Sequence, residues 1–304
     1  MNFALIVGVV ASSIMSGTSL LYATLGEIVG ERSGIVNLGL EGIMLVGAAS
    51  GFAATALTGS PYFGLVLAAL AGAASNLIFA YLVVGRHANQ LATGLSLMFF
   101  GIGISALIGR PFVGTLITGL PRLAVPDLAP GGVGARLLNY DILVDLAVPA
   151  SVLTWWLVYR TRWGLELRTV GESPAAAFAA GLQPQRLQYQ ALAFAGTLGG
   201  IAGAHMSLAL TLTWAEGMTA GRGFIAIALV IFAKWNPLWA VAGALLFGGA
   251  EGLQLQLQAA GADVSPFVMN MTPYLLTLLV LILWGWSRQS IAPAALGRNF
   301  VGVE

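Results

Sequence analysis

What most constrains this chain is a succession of eight apolar runs, near residues 3–26, 35–57, 62–84, 91–109, 140–159, 188–212, 237–257 and 266–286. Each is about the ~20 residues that a helix needs to cross a ~30 Å hydrocarbon core. In hydrocarbon the backbone must satisfy its own hydrogen bonds, and a helix does so within one segment. A further apolar piece, 224–233, has about ten residues, and at ~1.5 Å per residue it covers roughly half the core. Such a piece needs protein or water around its ends, as broken helices do. With it counted as a pass, the chain reads as an all-α, polytopic transmembrane helical bundle of about nine passes, some of them broken, in a single domain over 1–304.

Composition sets the same ceiling. Charged residues make up 8% of the chain, 13 Lys+Arg and 12 Asp+Glu, against ~25% in a soluble domain. Mean hydropathy is +0.88. These figures exclude a soluble enzyme, a nucleic-acid binder and a disordered chain, and the net charge of +1 predicts no polyanionic partner. Cysteine is absent, which excludes disulfides, Cys-ligated zinc and thiol catalysis. The first residues carry no Lys or Arg ahead of an apolar stretch that continues to Leu25, so the amino-terminal segment reads as a retained span.

Orientation follows from the basic residues of the connections. Arg32, Arg86, Arg160, Arg162, Arg168, Arg186, Lys234, Arg288 and Arg298 form one set; Arg110, Arg122, Arg136 and Arg222 form the other. Nine against four puts the first set in the cytoplasm, the amino terminus outside and the carboxyl terminus inside.

Two connections are long. The outer one, 109–139, contains Pro111, Pro121, Pro126 and Pro130 and reads as an irregular external cap. The inner one, 160–187, carries helix signals: Ser173 as N-cap, Pro174 at the first helical position and Gly181 just past the end. The intervening alanines predict about two turns with almost no side-chain bulk. Ala176, Ala177 and Ala180 would let another protein approach closely, with Glu172 just ahead of the helix. The alternative is a loop with a helical turn.

No G-x-x-x-x-G-K-[ST] stretch exists, and Lys234, the sole lysine, is preceded by Phe232-Ala233. If transport is ATP-driven, another polypeptide binds the ATP. With His87 and His205 the only histidines, no metal site and no cofactor is expected, and His205 reads as a packed, hydrogen-bonded core residue. The polar residues inside spans say more. Glu41 sits about six residues into its run, ~10 Å deep, where an ionisable group normally faces a cavity or a partner. Asn37 lies four residues earlier on the same helical stripe. Glu41 either lines a pathway or pairs internally, for example with Arg32, to hold the bend at Gly34. Asn89 and Thr93 open another span, where they can bind a polar solute or cap the helix. Glu251, Gln254 and Gln258 read as the wet outer end of a helix. Gly196-x-x-x-Gly200 and Gly199-x-x-x-Gly203 permit close helix contact. A weak repeat pairs 20–50 with 218–249, each a hydrophobic piece, a polar break and a longer Gly/Ala-rich helix; such interruptions mark binding sites in transporters.

The stretches GERSGIVNLGLEGIMLVGAASG, RHANQLATGLSL, YRTRWGLELRTVGESPAAAFAAGL and MTAGRGFIAIALVIFAKWNPLWAVAGALLFGGAEGLQLQLQ together resemble the integral-membrane permeases of ABC importers of the ribose and branched-chain amino acid type. The short permease of nucleoside importers is nearest, and the resemblance runs in order over about 18–297. It implies a multi-pass subunit of a bacterial or archaeal cytoplasmic membrane. Its expected partners are a second permease (paralogue or copy), an ABC ATPase subunit and an extracytoplasmic solute-binding protein. It also implies a cytoplasmic coupling helix over Glu172, Ser173, Ala176, Ala177, Ala180 and Gly181, docked on the ATPase, and broken helices over 30–42 and 223–237 beside the pathway. Asn37, Glu41, Asn89 and Thr93 are pathway candidates from burial and polarity alone. Two other readings stand beside a nucleoside permease: a simple-sugar permease of the same family, and an ATPase-independent secondary transporter or channel. A membrane anchor without conduction is a third.

Overall fold

The structure, a computed structural model, describes residues 3–122, 139–259 and 292–299 and five isolated positions between 271 and 282. Among these residues the chain is helical. In order the helices are α1 (Phe3–Arg32), α2 (Leu40–Thr58), α3 (Pro61–Ala80), α4 (Gln90–Gly109), α5 (Ile142–Arg160), α6 (Arg162–Glu172), α7 (Pro174–Ala179), α8 (Pro184–His205), α9 (Arg222–Phe232) and α10 (Pro237–Ala259). Single π turns extend α3 over Tyr81–Gly85 and α8 over Met206–Leu210. Among the described residues seven helices are long and apolar enough to cross a membrane, and α9 is a shorter apolar helix. The nine-pass count is therefore approximate, and the run 266–286 lies largely outside the described residues.

The caps explain where several helices begin. Ser60, Asn89, Asp141, Thr161 and Ser173 each accept a hydrogen bond from a backbone N–H of the first turn that follows, satisfying donors that a helix leaves unpaired. Asp141 accepts from the N–H groups of Leu143 and Val144 at 3.0 and 3.4 Å.

The second span departs from its sequence expectation. It starts at Leu40 rather than near 35, while α1 continues to Arg32. After the turn bonds of Ser33 N to Gly30 O and Gly34 N to Glu31 O, polar side chains take up backbone groups of the break. Glu27 accepts from Asn37 N at 3.1 Å, Gln90 from Val36 N at 2.9 Å and the Asn37 side chain from Gly39 N at 2.7 Å, while Gln188 donates to Ser33 O at 3.3 Å. Non-helical backbone at membrane depth persists only when satisfied in this way. Asn37 consequently precedes the helix and shares no helical stripe with Glu41.

α2 and α8 are the most buried spans, and they pack on each other, on α3 and, through α8, on α1. α3, α4, α5 and α10 form the outside and expose large apolar residues such as Leu70, Phe99 and Leu153, the pattern a lipid-facing surface requires. The interlocking glycine motifs serve two faces of α8. A Cβ at Gly196 or Gly200 would strike backbone of α3, and one at Gly203 would strike the Met44 carbonyl of α2.

Most of the larger basic set gathers at one end of the bundle. There Arg32 donates to Tyr159 Oη at 2.7 Å and to Trp235 O at 3.4 Å, Arg168 lies over the Tyr159 ring, and Gln90 donates to Arg298 O. Arg222 is not a surface residue of the opposite end: it opens α9 and donates to Ser19 Oγ at 3.1 Å and Glu251 Oε2 at 2.7 Å. Its removal from the smaller set strengthens the charge asymmetry. Glu251 is accordingly one half of an ion pair inside the bundle, not a wet helix end. His205 is packed at 0% exposure. Its ring lies 3.5 Å from Asp141 Oδ2, and neither ring nitrogen makes a hydrogen bond among the described residues.

Candidate functional site

α9 lies alongside the second half of α1. Its first residue contacts Ser19, Thr24 Oγ1 donates to Ala226 O at 3.4 Å, and the Trp235 indole just past its end donates to Glu31 Oε2 at 2.6 Å. Ser19 is roughly 20 Å along α1 from Arg32 at ~1.5 Å per residue, so α9 begins near mid-depth and ends at the basic end. The chain reaches that starting point from the opposite end, by a non-helical descent through Trp214, Glu216 and Thr219.

Glu41 receives this descent. Its carboxyl accepts from Thr219 Oγ1 at 2.6 Å, from Gly221 N at 2.8 Å and from Gly223 N at 2.6 Å. Glu41 is 6% exposed, and all three donors belong to the turn that opens α9. An acidic group there complements the positive end of a helix dipole and uses N–H groups that would otherwise be orphaned in a dry interior. Gly221 has φ 83°, and Gly223 approaches so closely that a Cβ would collide with the Glu41 backbone. Glu41 thus pairs internally, with the α9 turn and not with Arg32. Ionisable and polar groups of α1, α2, α9 and α10 meet at this level.

The other three pathway candidates have separate partners. Asn37 donates to Asn76 Oδ1 at 2.8 Å, and Asn76 donates to Leu192 O at 2.7 Å, joining the break to α3 and α8. Asn89 caps α4, accepting from Ala92 N at 3.0 Å. Thr93 lines a groove of about 180 Å³ between α3 and α4, together with Ser96 and the apolar Phe79 and Phe100. A larger cavity, about 900 Å³, opens beside the descending segment, between Gly103, Ala106 and Arg110 of the α4 side and Trp214 and Glu216. Trp214, Glu216 and Thr219 escaped the sequence reading because the 211–221 stretch has no periodicity.

At the basic end, 160–187 folds into two helices. α7 forms between Ser173, whose Oγ accepts from Ala176 N at 3.2 Å, and Ala180, with Gly181 at φ 84°. α6 was not anticipated; Thr161 caps it, and Gly164, Leu167, Val170 and Gly171 form its buried stripe. The alanines of α7 are not equivalent. Ala177 is fully buried in a cluster with Val29, Val158, Leu167, Leu187 and Ala191, so it anchors α7 to its own chain. Ala175, Ala176, Ala179 and Ala180 face outward with Phe178, which is 51% exposed and was not among the residues singled out from sequence. The Glu172 carboxyl accepts from Ala294 N at 3.3 Å.

Residues 9–284 match a protein family described as the permease component of the branched-chain amino acid transport system. The chain is 36% identical to the provisionally named glucose ABC transporter permease protein TsgC13 of Haloferax volcanii, over 92% of both chains. It is 30% identical to the guanosine ABC transporter permease protein NupQ of Bacillus subtilis, over 96% of both. Its identity to the nucleoside ABC transporter permease protein NupC of Lactococcus lactis subsp. cremoris is 32%, again over 96% of both.

Proposed function

The chain belongs to the permease family of branched-chain amino acid transport systems, and on that premise we propose that it is the membrane subunit of an ATP-driven importer that carries a nucleoside into the cell. The basic end faces the cytoplasm of a bacterial or archaeal cell, in keeping with the excess of Lys and Arg there. The partners are an ABC ATPase at that end, a second permease (a paralogue or a copy), and a solute-binding protein outside. Two relatives with nucleoside names over nearly the full chain support the solute class. The lack of a G-x-x-x-x-G-K-[ST] stretch in the sequence supports ATP hydrolysis on a separate ATPase subunit.

The observation that carries the reading is α7. Its anchored Ala177 and outward Ala176, Phe178 and Ala180 make a short helix with one aromatic side chain among small ones, suited to a groove on the ATPase. Movement of the ATPase pushes α7, and the cluster around Ala177 passes the push to α1 and α8. Those helices flank α2 and α9, whose relative position the Glu41 hydrogen bonds register. The pathway runs past the 214–223 segment, which opens or closes as α2 shifts against α9. Ala180→Arg and Phe178→Asp are expected to reduce co-purification of the ATPase at least tenfold while the chain still inserts and folds. Ala177→Trp is expected to lower the unfolding temperature instead, because overpacking a buried site costs ~1–3 kcal/mol. Full ATPase binding by both outward variants would contradict docking through α7. The 36% identity to a permease with a glucose name favours a simple sugar as the second reading of the solute.

A further inference from the structure

Residues 292–299 form a strap across the basic end. Ala294 N donates to Glu172 Oε2 at 3.3 Å and Ala295 N to Gly171 O at 2.9 Å, so the strap begins on the residues that lead into α7. Gly297 N then donates to Gly34 O at 3.1 Å, on the break between α1 and α2. Asn299 Nδ2 donates to the carbonyls of His87 and Ala88, each at 2.8 Å. Gln90 Nε2 donates to Asn299 Oδ1 at 3.1 Å and to Arg298 O at 3.3 Å, while Gln90 Oε1 accepts from Val36 N at 2.9 Å. Within the strap Pro293 and Ala295 are buried, and Gln90 is 3% exposed.

These bonds form one continuous line: Glu172, strap, Asn299, Gln90, Val36. One end is the segment that leads into α7; the other is the break that sets where α2 and Glu41 begin. A surface tail that only covered apolar area would not need a buried Gln90 amide and a part-buried Asn299 amide bonded to each other where it crosses the start of α4, since amides withdrawn from water must be partnered to be tolerated. We propose that Gln90 and Asn299 are positioning residues of the transport cycle, which through the 292–299 strap make the break before α2 follow the displacement of α7. This rests on the reading of α7 as the ATPase-coupling helix. The strap is a second route, distinct from the apolar cluster around Ala177, and it leads to the polar break instead of to α1 and α8.

The test uses the assembled importer in vesicles and reads three quantities: ATPase co-purification, ATP hydrolysis, and solute moved per ATP hydrolysed. The variants are Gln90→Leu, Asn299→Leu and a chain ending at residue 291. The expected result is ATPase binding within twofold of wild type and solute per ATP reduced at least tenfold. Gln90→Glu retains an acceptor for Val36 N but loses the donor to Asn299, and is expected to reduce the ratio as Asn299→Leu does. If the shortened chain does not accumulate, the point variants decide. An unchanged ratio in both Leu variants overturns the proposal, as does a loss of ATPase binding that accounts for the whole loss of transport. If wild type itself fails to bind or couple to the ATPase, the α7 reading has failed, an outcome distinct from strap variants that couple normally.

Discussion

Glu41 offers acceptors only, and the turn that opens α9 offers three donors to it. Gln in its place has one carbonyl oxygen and an NH2 group that would face a backbone N–H, leaving a buried donor unpaired. Unpaired buried donors cost ~1–3 kcal/mol each, and hydrogen bonds to charged groups contribute ~1.5–3 kcal/mol. Glu41→Gln is therefore expected to cut uptake at least tenfold with the chain still in the membrane, Glu41→Leu to cut it further, and Thr219→Val to have the smallest effect. Uptake and detergent unfolding temperature measured on the same preparations check the order; normal uptake by Glu41→Leu would contradict it. A buried acid of this kind is legible from the run it interrupts. Its partners are not, because Thr219 is 178 residues away and its segment has no periodic pattern to place it. Phe178 escaped notice for a different reason: exposure of one position in a six-residue helix depends on how that helix docks on its own chain, which caps do not specify.

At the scale of elements, caps carried the most sequence information. Ser173, Pro174 and Gly181 delimit α7 as their chemistry demands. The break between α1 and α2 was visible as a polar interruption, but its extent was not, since Gln90, Gln188 and Asn76 lie far along the chain. The paired glycine motifs of α8 were legible as close-packing signals without their directions. Those directions predict unequal substitutions. Gly203→Ala drives a Cβ into the Met44 carbonyl, and the backbone on both sides cannot yield. At Gly30 a Cβ meets only side chains of Ala195 and Leu192 at ordinary contact distance, and Ala is favoured over Gly in a helix by ~1 kcal/mol. Gly203→Ala should lower the unfolding temperature by several degrees and Gly30→Ala should leave it unchanged or raise it. Equal effects would mean that α8 does not pack on α2 through this face.

The whole molecule is polar along its length in a functional sense. The basic end holds both helix breaks, the Arg32–Trp235 contacts, α6, α7 and the strap. The opposite end holds the descending 211–221 segment and the cavity beside Trp214. The descending segment and the start of α2 meet at Glu41. Composition alone established a membrane bundle, because 8% charge cannot cover a water-facing surface; the junction required long-range packing. Pro126 and Pro130 of the long 109–139 connection, and most of the last apolar run, lie outside the described residues. The central claim is ATP-driven import of a nucleoside, and the most direct measurement is uptake of labelled guanosine by vesicles containing this chain, its companion permease and its ATPase, with the loaded binding protein outside. Uptake is expected to require internal ATP, to vanish without the ATPase, and to be outcompeted by unlabelled nucleoside but not by glucose. Uptake that proceeds without the ATPase, or that glucose abolishes and nucleosides do not, would contradict it.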